Sequence, residues 1–188
     1  MKHKVYLLDT NIFIEPYRTF YSFDYGTAFW DFLKHQAIKG QIFSIDKVYA
    51  ELSRNKDQLF DWVEMNLKPL GFFHSTENIN VLKNYKEIIQ WVEGKRERER
   101  ETFKDEAIEE FKKEDNADPW LVAYAMHYRD MKSVFKKEIV IVTQEKLDRN
   151  RKNKIPIPIV CEEFSVEYCD LFTMLRELGF KIRFDGGI

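Results

Sequence analysis

The sequence predicts an α/β sandwich around a mostly parallel sheet, on two observations. Strand-like runs alternate with helical patterns along the 188 residues. Two of those runs, Val5-Tyr6-Leu7-Leu8 and Ile139-Val140-Ile141-Val142, are apolar at every position. A strand with one wet face alternates apolar and polar residues, whereas a parallel strand covered on both faces reads as a continuous apolar run. The patterns alternate in type instead of grouping into separate blocks, which favours helices layered on a parallel sheet.

Taken in order, the first strand is expected over Lys4 to Leu8, followed by an aromatic loop from Pro16 to Tyr25. A helix around Gly26 to Lys39 places Phe29, Trp30, Leu33 and Ile38 near helical spacing, and Gly40 is a suitable stop for it. After the short apolar segment Ile42-Phe43, Ser44 is a candidate N-cap. The helix it would open carries Ile45, Val48, Tyr49 and Leu52 at i, i+3, i+4 and i+7, a core-facing stripe with Glu51 beside it. Leu67 to Phe73, with Pro69 and Gly71, reads as a turn into a short strand. Helical patterns follow at about Glu77 to Glu93 and Gly94 to Glu114. The second begins with the mixed-charge run Lys95 to Glu101, a solvated helix face laced by opposite charges, and is expected to stand off the core as an arm.

From Asp118 a helix that is apolar almost all round runs to about Tyr128, and a strand follows at Glu138 to Thr143. A basic stretch, Lys146, Arg149, Arg151, Lys152 and Lys154, leads to Ile155-Pro156-Ile157-Pro158-Ile159-Val160. The last helix is expected at Tyr168 to Leu178 with Gly179 as its stop, and Phe180 to Phe184 as a closing strand. Repeats and low-complexity linkers are absent from the sequence, so residues 1–188 are expected to form a single domain.

The composition, 44% hydrophobic and 33% charged with 15% aromatic, is that of a folded domain with a real core. A formal net charge of −2 argues against a basic coat for bulk nucleic-acid binding, though not against a local basic strip. Cys161 and Cys169 are too few for a thiolate zinc site or a disulfide scaffold and are expected as thiols. No apolar run reaches the roughly 18 residues that span a bilayer, and Met1 to Lys4 leads directly into a strand. The expectation is a cytoplasmic protein without a membrane partner.

The chemistry-bearing residues are acids at element ends. Asp9 ends the first strand, Glu51 lies early in a helix, Asp118 precedes Pro119 at a helix start, and Glu145 follows the strand ending at Thr143. In an open parallel sheet, ligands bind beyond the carboxyl ends of the strands, near a switch in strand order. Asp9 and Glu145 belong at that edge. Asp118 before Pro119 also reads as an N-cap, which places its carboxylate at a helix start opening onto the same crevice. A pocket shared by four carboxylates suits a hard cation with oxygen ligands. The histidines His3, His35, His74 and His127 show no metal-ligand spacing, and His127 is expected as a packed residue. The sequence has no Gly-rich phosphate loop.

Read together, Leu7-Leu8-Asp9-Thr10-Asn11-Ile12, Glu51 after an apolar helix start, Ala117-Asp118-Pro119-Trp120-Leu121-Val122-Ala123-Tyr124-Ala125 and Val142-Thr143-Gln144-Glu145 resemble the four acidic signatures of the PIN-domain nucleases. The likeness is strongest to a PIN-like bacterial and archaeal group related to the toxin ribonucleases of toxin–antitoxin pairs, and it runs through nearly the whole chain. The resemblance implies a three-layer α/β/α fold and an endoribonuclease dependent on Mg²⁺ or Mn²⁺. Asp9, Glu51 and Asp118 carry over as metal-binding acids. Glu145 carries over with one methylene more than the family's usual aspartate, as a ligand, a ligand through water, or a residue behind the ligands. Asn11 and Thr143 match positions expected to hold the acids by hydrogen bonds. A homodimer and a small antitoxin protein are implied by the resemblance alone.

The chemistry agrees: phosphodiester hydrolysis needs an activated water and stabilised charge on phosphate oxygens, and divalent ions supply both. Lys146, Arg149, Arg151 and Lys152 begin just after Glu145, where they would hold RNA phosphates beside the metal. An aspartyl-phosphate phosphatase would want Asp where Asn11 stands. A receiver domain would want an acidic pair where Leu7 and Leu8 stand. Two rivals remain: a PIN-like scaffold with weak or lost catalysis, and a nuclease directed at DNA.

Overall fold

The computed structural model describes residues 4–97, 103–131 and 138–181. A five-stranded parallel sheet, in the order β3-β2-β1-β4-β5, lies between two layers of helices. The strands are β1 (Lys4–Leu8), β2 (Ile42–Ile45), β3 (Phe73–His74), β4 (Glu138–Val142) and β5 (Glu167–Cys169). The helices are α1 (Asn11–Arg18), α2 (Thr27–Ile38), α3 (Asp46–Leu52), α4 (Gln58–Asn66), α5 (Ile79–Glu97), α6 (Asp105–Phe111), α7 (Asp118–Asp130), α8 (Ile157–Glu163) and α9 (Leu171–Glu177).

Residues paired across a parallel ladder share a face, and successive residues alternate faces. Leu7 pairs with Phe43 and with Ile141, and Phe43 meets the Tyr124 and Tyr128 rings of α7. That face of the sheet therefore packs on α7, with α5 beside it. Tyr6, one residue earlier, lies on the other face, where its hydroxyl donates to Glu177 of α9. Val5 to Leu8 and Ile139 to Val142 are all buried, as helices on both sides require. The chain leaves β1 for β2 and β3 on one side, then returns to β4 and β5 on the other. The switch point lies between β1 and β4.

Local differences from the expected elements have identifiable causes. The segment expected as a loop from Pro16 begins inside α1, because Ile12, Phe13 and Pro16 are buried together on one face. Their burial outweighs the roughly 3 kcal/mol that an interior proline costs a helix. Ser44 is not an N-cap but a buried residue of β2, and its hydroxyl donates to the Leu8 carbonyl at 2.7 Å. Ile45, extended, takes the cap position of α3. Ile38 is 61% exposed, because α2 ends there before the left-handed Gly40. Helix α4, capped by Asp57 through the Phe60 N–H at 3.0 Å, had no counterpart among the expected elements.

The segment expected as one charged helix and arm from Gly94 is divided. Helix α5 continues through Gly94 to Glu97, and α6 buries Ala107, Ile108 and Phe111 against the body. The rest of the mixed-charge run, up to Glu101, lies outside the described residues. Near the C-terminus β5 and the shorter α9 replace a single helix from Tyr168, with Gly179 left-handed at the stop. Phe180 is not in a strand. Its ring lies 4.9 Å from that of Phe32 and 6.3 Å from that of Phe29, and the remainder of that expected strand lies outside the described residues. Cys161 is buried and Cys169 partly so, both as free thiols. Among the described residues no helix is long and apolar enough to cross a membrane.

Candidate metal centre

The switch point fixes where the acids meet. Asp9 is the residue after Leu8, and its N–H donates to the Val142 carbonyl at 3.0 Å, so the ladder runs one step beyond the strand. By alternation Asp9 points to the face that carries α7, and Asp118 is the first residue of α7. Thr143 follows Val142 on the same face as Ile141. Its hydroxyl donates to Asp9 Oδ2 at 2.9 Å, as expected of Thr143, and its oxygen accepts from the Glu145 N–H at 3.2 Å. Asp9 is only 1% exposed.

Glu51, late in α3, ties two elements to this centre. One carboxylate oxygen accepts from the Thr10 hydroxyl, and the other accepts from the Ala117 N–H at 2.9 Å, just ahead of α7. Asp118 does not act as a cap. Ala117 holds the cap position, and Asn116 supplies the local hydrogen bond, its Oδ1 accepting from the Asp118 N–H at 2.9 Å. The Asp118 carboxylate is thereby left to the cleft, with 15% of its side chain exposed.

Asp9, Thr10, Asn11, Glu51, Asp118 and Lys154 line one open cleft of about 490 Å³. Arg54 and Lys113 lie on its outer wall. Glu145 sits behind it and faces a neighbouring cleft of about 730 Å³ with Thr143, Lys146 and Tyr168. Its side chain is held at both ends: Oε2 accepts from the Ile157 N–H at 2.7 Å, and Oε1 pairs with the Lys154 ammonium. The same ammonium is 4.0 Å from Asp118 Oδ2.

The electrostatics follow from burial and crowding. Burial pushes the Asp9 carboxyl up to about 7, with Glu145 and Glu51 adding to the rise and the Thr143 hydroxyl opposing it. Asp118 is also raised well above the usual carboxylate range, first by burial and then by the charges of Asp9 and Glu145, against the pull of Lys154. Lys154 is raised by Asp118 and Glu145, although its own burial works the other way.

These donors fit a hard cation in type. They are carboxylate oxygens that repel one another, so a bound cation would relieve their crowding. In arrangement the fit is narrower than the sequence suggested. Among the described residues no three His, Cys, Asp or Glu side chains are grouped to enclose an ion by themselves. Glu51 and Glu145 already accept hydrogen bonds at both oxygens, which leaves Asp9 and Asp118 as the better-placed pair.

Among the other expected site residues, Asn11 lies on the cleft wall and makes no hydrogen bond to an acid among the described residues; Thr10 has that role. Lys146 and Arg151 reach cavities beside the centre. Arg149 is turned to Glu162 of α8, and Lys152 is on the exposed loop. The residue missed as part of the centre is Lys154. Its signal was its position, the last basic residue before Ile155-Pro156, which are both buried and fix the backbone there.

Fold and site together define a parallel α/β protein with a carboxylate centre at its topological switch point. The chain belongs to the family described as a domain of unknown function, DUF4411, which it matches over residues 6–182. No curated protein matches it.

Proposed function

We propose that the protein is a PIN-like, divalent-metal-dependent endoribonuclease, with Asp9 and Asp118 as its direct metal ligands. The observation that carries the reading is the pair itself. Two mutually repelling carboxylates, Asp9 buried and Asp118 with 15% of its side chain exposed, stand at the β1–β4 switch point, at the end of an open cleft. Such crowding costs folding free energy, and a cation offsets it.

A Mg²⁺ or Mn²⁺ ion bound there would lower the pKa of a coordinated water and stabilise charge on the phosphate oxygens, with waters filling positions the protein leaves open. Thr143 orients Asp9, and Glu51 clamps the start of α7 so that Asp118 faces the cleft. Glu145 acts behind the pair by holding Lys154. Lys146 and Arg151 beside the centre offer cationic contacts to phosphates, whereas Arg54 and Lys113 on the cleft wall are ion-paired to Asp115 and Glu110.

The test is cleavage of a mixed tRNA and structured-RNA pool with Mn²⁺, Mg²⁺ or EDTA. Asp118→Asn is expected to keep the fold and lower metal-dependent cleavage on the order of a hundredfold or more. Full activity in that variant would sink the assignment, and preferential cutting of DNA would redirect it to the other polymer. One observation favours a scaffold with lost catalysis: the commitment of both Glu51 and Glu145 to structural hydrogen bonds. Absence of Mn²⁺ binding would move the reading there. A toxin role with a small antitoxin and a homodimeric state rests on resemblance. Co-purification with the product of an adjoining gene tests it.

A further inference from the structure

We propose that Lys154 stands in for a second metal ion: its ammonium holds the Asp118–Glu145 side of the centre, so the site loads one divalent ion, on the Asp9 side. The proposal rests on the metal-dependent reading above and adds the number of ions and what sets it.

The placement of Lys154 is built into the fold. Glu145, to which it is ion-paired, cannot swing freely, because Oε2 is held by the Ile157 N–H at 2.7 Å and its own N–H by Thr143. The Lys154 backbone leads directly into Ile155, which is 1% exposed, and the side chain is only 40% exposed. Two anchors, one at each end of the pair, thus bring the ammonium to 4.0 Å from Asp118 Oδ2.

An ion added between Asp118 and Glu145 would have to displace a cation already seated there or lie against it, like charge to like. The opposite side differs. There Asp9 accepts from the Thr143 hydroxyl and its charge acts on Asp118 and on Lys154, but among the described residues no ammonium or guanidinium lies within ion-pair distance of it. Lysine suits this role, being a compact charge on a flexible stem, where arginine would present a planar fork. The ammonium also borders the 490 Å³ cleft, so the cation substituting for metal would face the substrate phosphate.

Mn²⁺ titration of the full chain by calorimetry, with bound Mn²⁺ counted by electron paramagnetic resonance, tests the idea. Wild type and Lys154→Arg are expected to bind one Mn²⁺ per chain. Lys154→Gln is expected to bind two, or one at least tenfold more tightly. Lys154→Met retains the aliphatic stem and provides the same test should the glutamine variant fail to fold. Two ions in the wild type would overturn the proposal while leaving the metal-dependent reading intact. So would neutral variants matching the wild type in number and affinity. No Mn²⁺ bound by any of the proteins would overturn the metal-dependent reading itself, and this proposal with it.

Discussion

Replacing Asp9 with asparagine should stabilise the metal-free protein at pH 8 and cost it about 1 kcal/mol near pH 4. The folded Asp9 carboxyl is raised from 3.8 to about 7, so the folded state holds its proton to higher pH than the unfolded chain. The sign follows: this group costs nothing below about pH 4, stability falls as pH rises towards about 7, and the loss is complete above that. At about 1.4 kcal/mol per tenfold change in proton affinity, the full cost is about 4 kcal/mol. Asparagine carries no proton to lose and can still accept from the Thr143 hydroxyl through its oxygen. It forfeits the acceptor that the carboxylate offers to the Thr10 N–H, a loss of about 1 kcal/mol. The net gain at pH 8 is therefore about 3 kcal/mol, a rise in Tm of roughly 10 °C for a domain of this size.

The assay is a series of thermal melts in EDTA from pH 4 to pH 8, wild type beside Asp9→Asn. A difference that stays constant across pH, or an asparagine variant that is less stable at pH 8, would refute the electrostatic account. Saturating Mn²⁺ should then reverse the order. An ion at about a thousand times its Kd adds about 4.1 kcal/mol to a protein that binds it, more than the advantage of the variant, which lacks one of the two ligands.

Three further outcomes follow from the packing. Ile108→Ala should cost about 2–5 kcal/mol in denaturant unfolding, because the side chain is fully buried; a loss under about 1 kcal/mol would mean that α6 is an arm after all. Gly26→Ala should lower stability by about 1–3 kcal/mol or more in a thermal melt, since the new Cβ would lie 2.4 Å from the Tyr21 Cα. Burial raises both thiols, Cys161 above the range in which thiolate forms and Cys169 to about 12, so a thiol reagent at pH 8 should label neither rapidly until the chain is unfolded, Cys161 last; rapid native labelling of Cys161 would place it outside the core.

Sequence pattern located this centre where backbone geometry alone determines side-chain direction, and failed where a tertiary partner does. The apolar runs before Asp9 and Thr143 gave both strands and the edge at which they end. The apolar helix after Asp118 was equally legible. Local pattern could not tell that Ser44 would be drawn into β2 by the Leu8 carbonyl, or that Asn116 would relieve Asp118 of capping. Thr10 and Asn11 are neighbours with similar chemistry, and only the position of α3 decides that Thr10 reaches Glu51. Lys154 looked like one of five basic loop residues. Its selection comes from the buried Ile155 and from the Ile157 N–H that fixes Glu145, both set by packing across the fold.

The dependence of the centre on strand register explains why its residues are so dispersed in sequence. Leu8 pairs with Val142, and the next residues on the two strands, Asp9 and Thr143, are the ones joined by a hydrogen bond. A slip of one residue between β1 and β4 would turn one member of the pair to the opposite face. It would also exchange the residues that face α7 with those that face α9, so the packing of Leu7 and Ile141 on the α7 side and the contact of Tyr6 with Glu177 of α9 favour the alignment of Asp9 with Thr143. Helix α7 then has little freedom. Its Tyr124 and Tyr128 rings rest on Phe43, and its start is tied to Glu51 through the Ala117 N–H, which brings Asp118 to the same edge. The repelling aspartates are thus held together by apolar packing on either side of the sheet. A core mutation that loosens the β1–β4 register should therefore disturb the centre before it unfolds the chain.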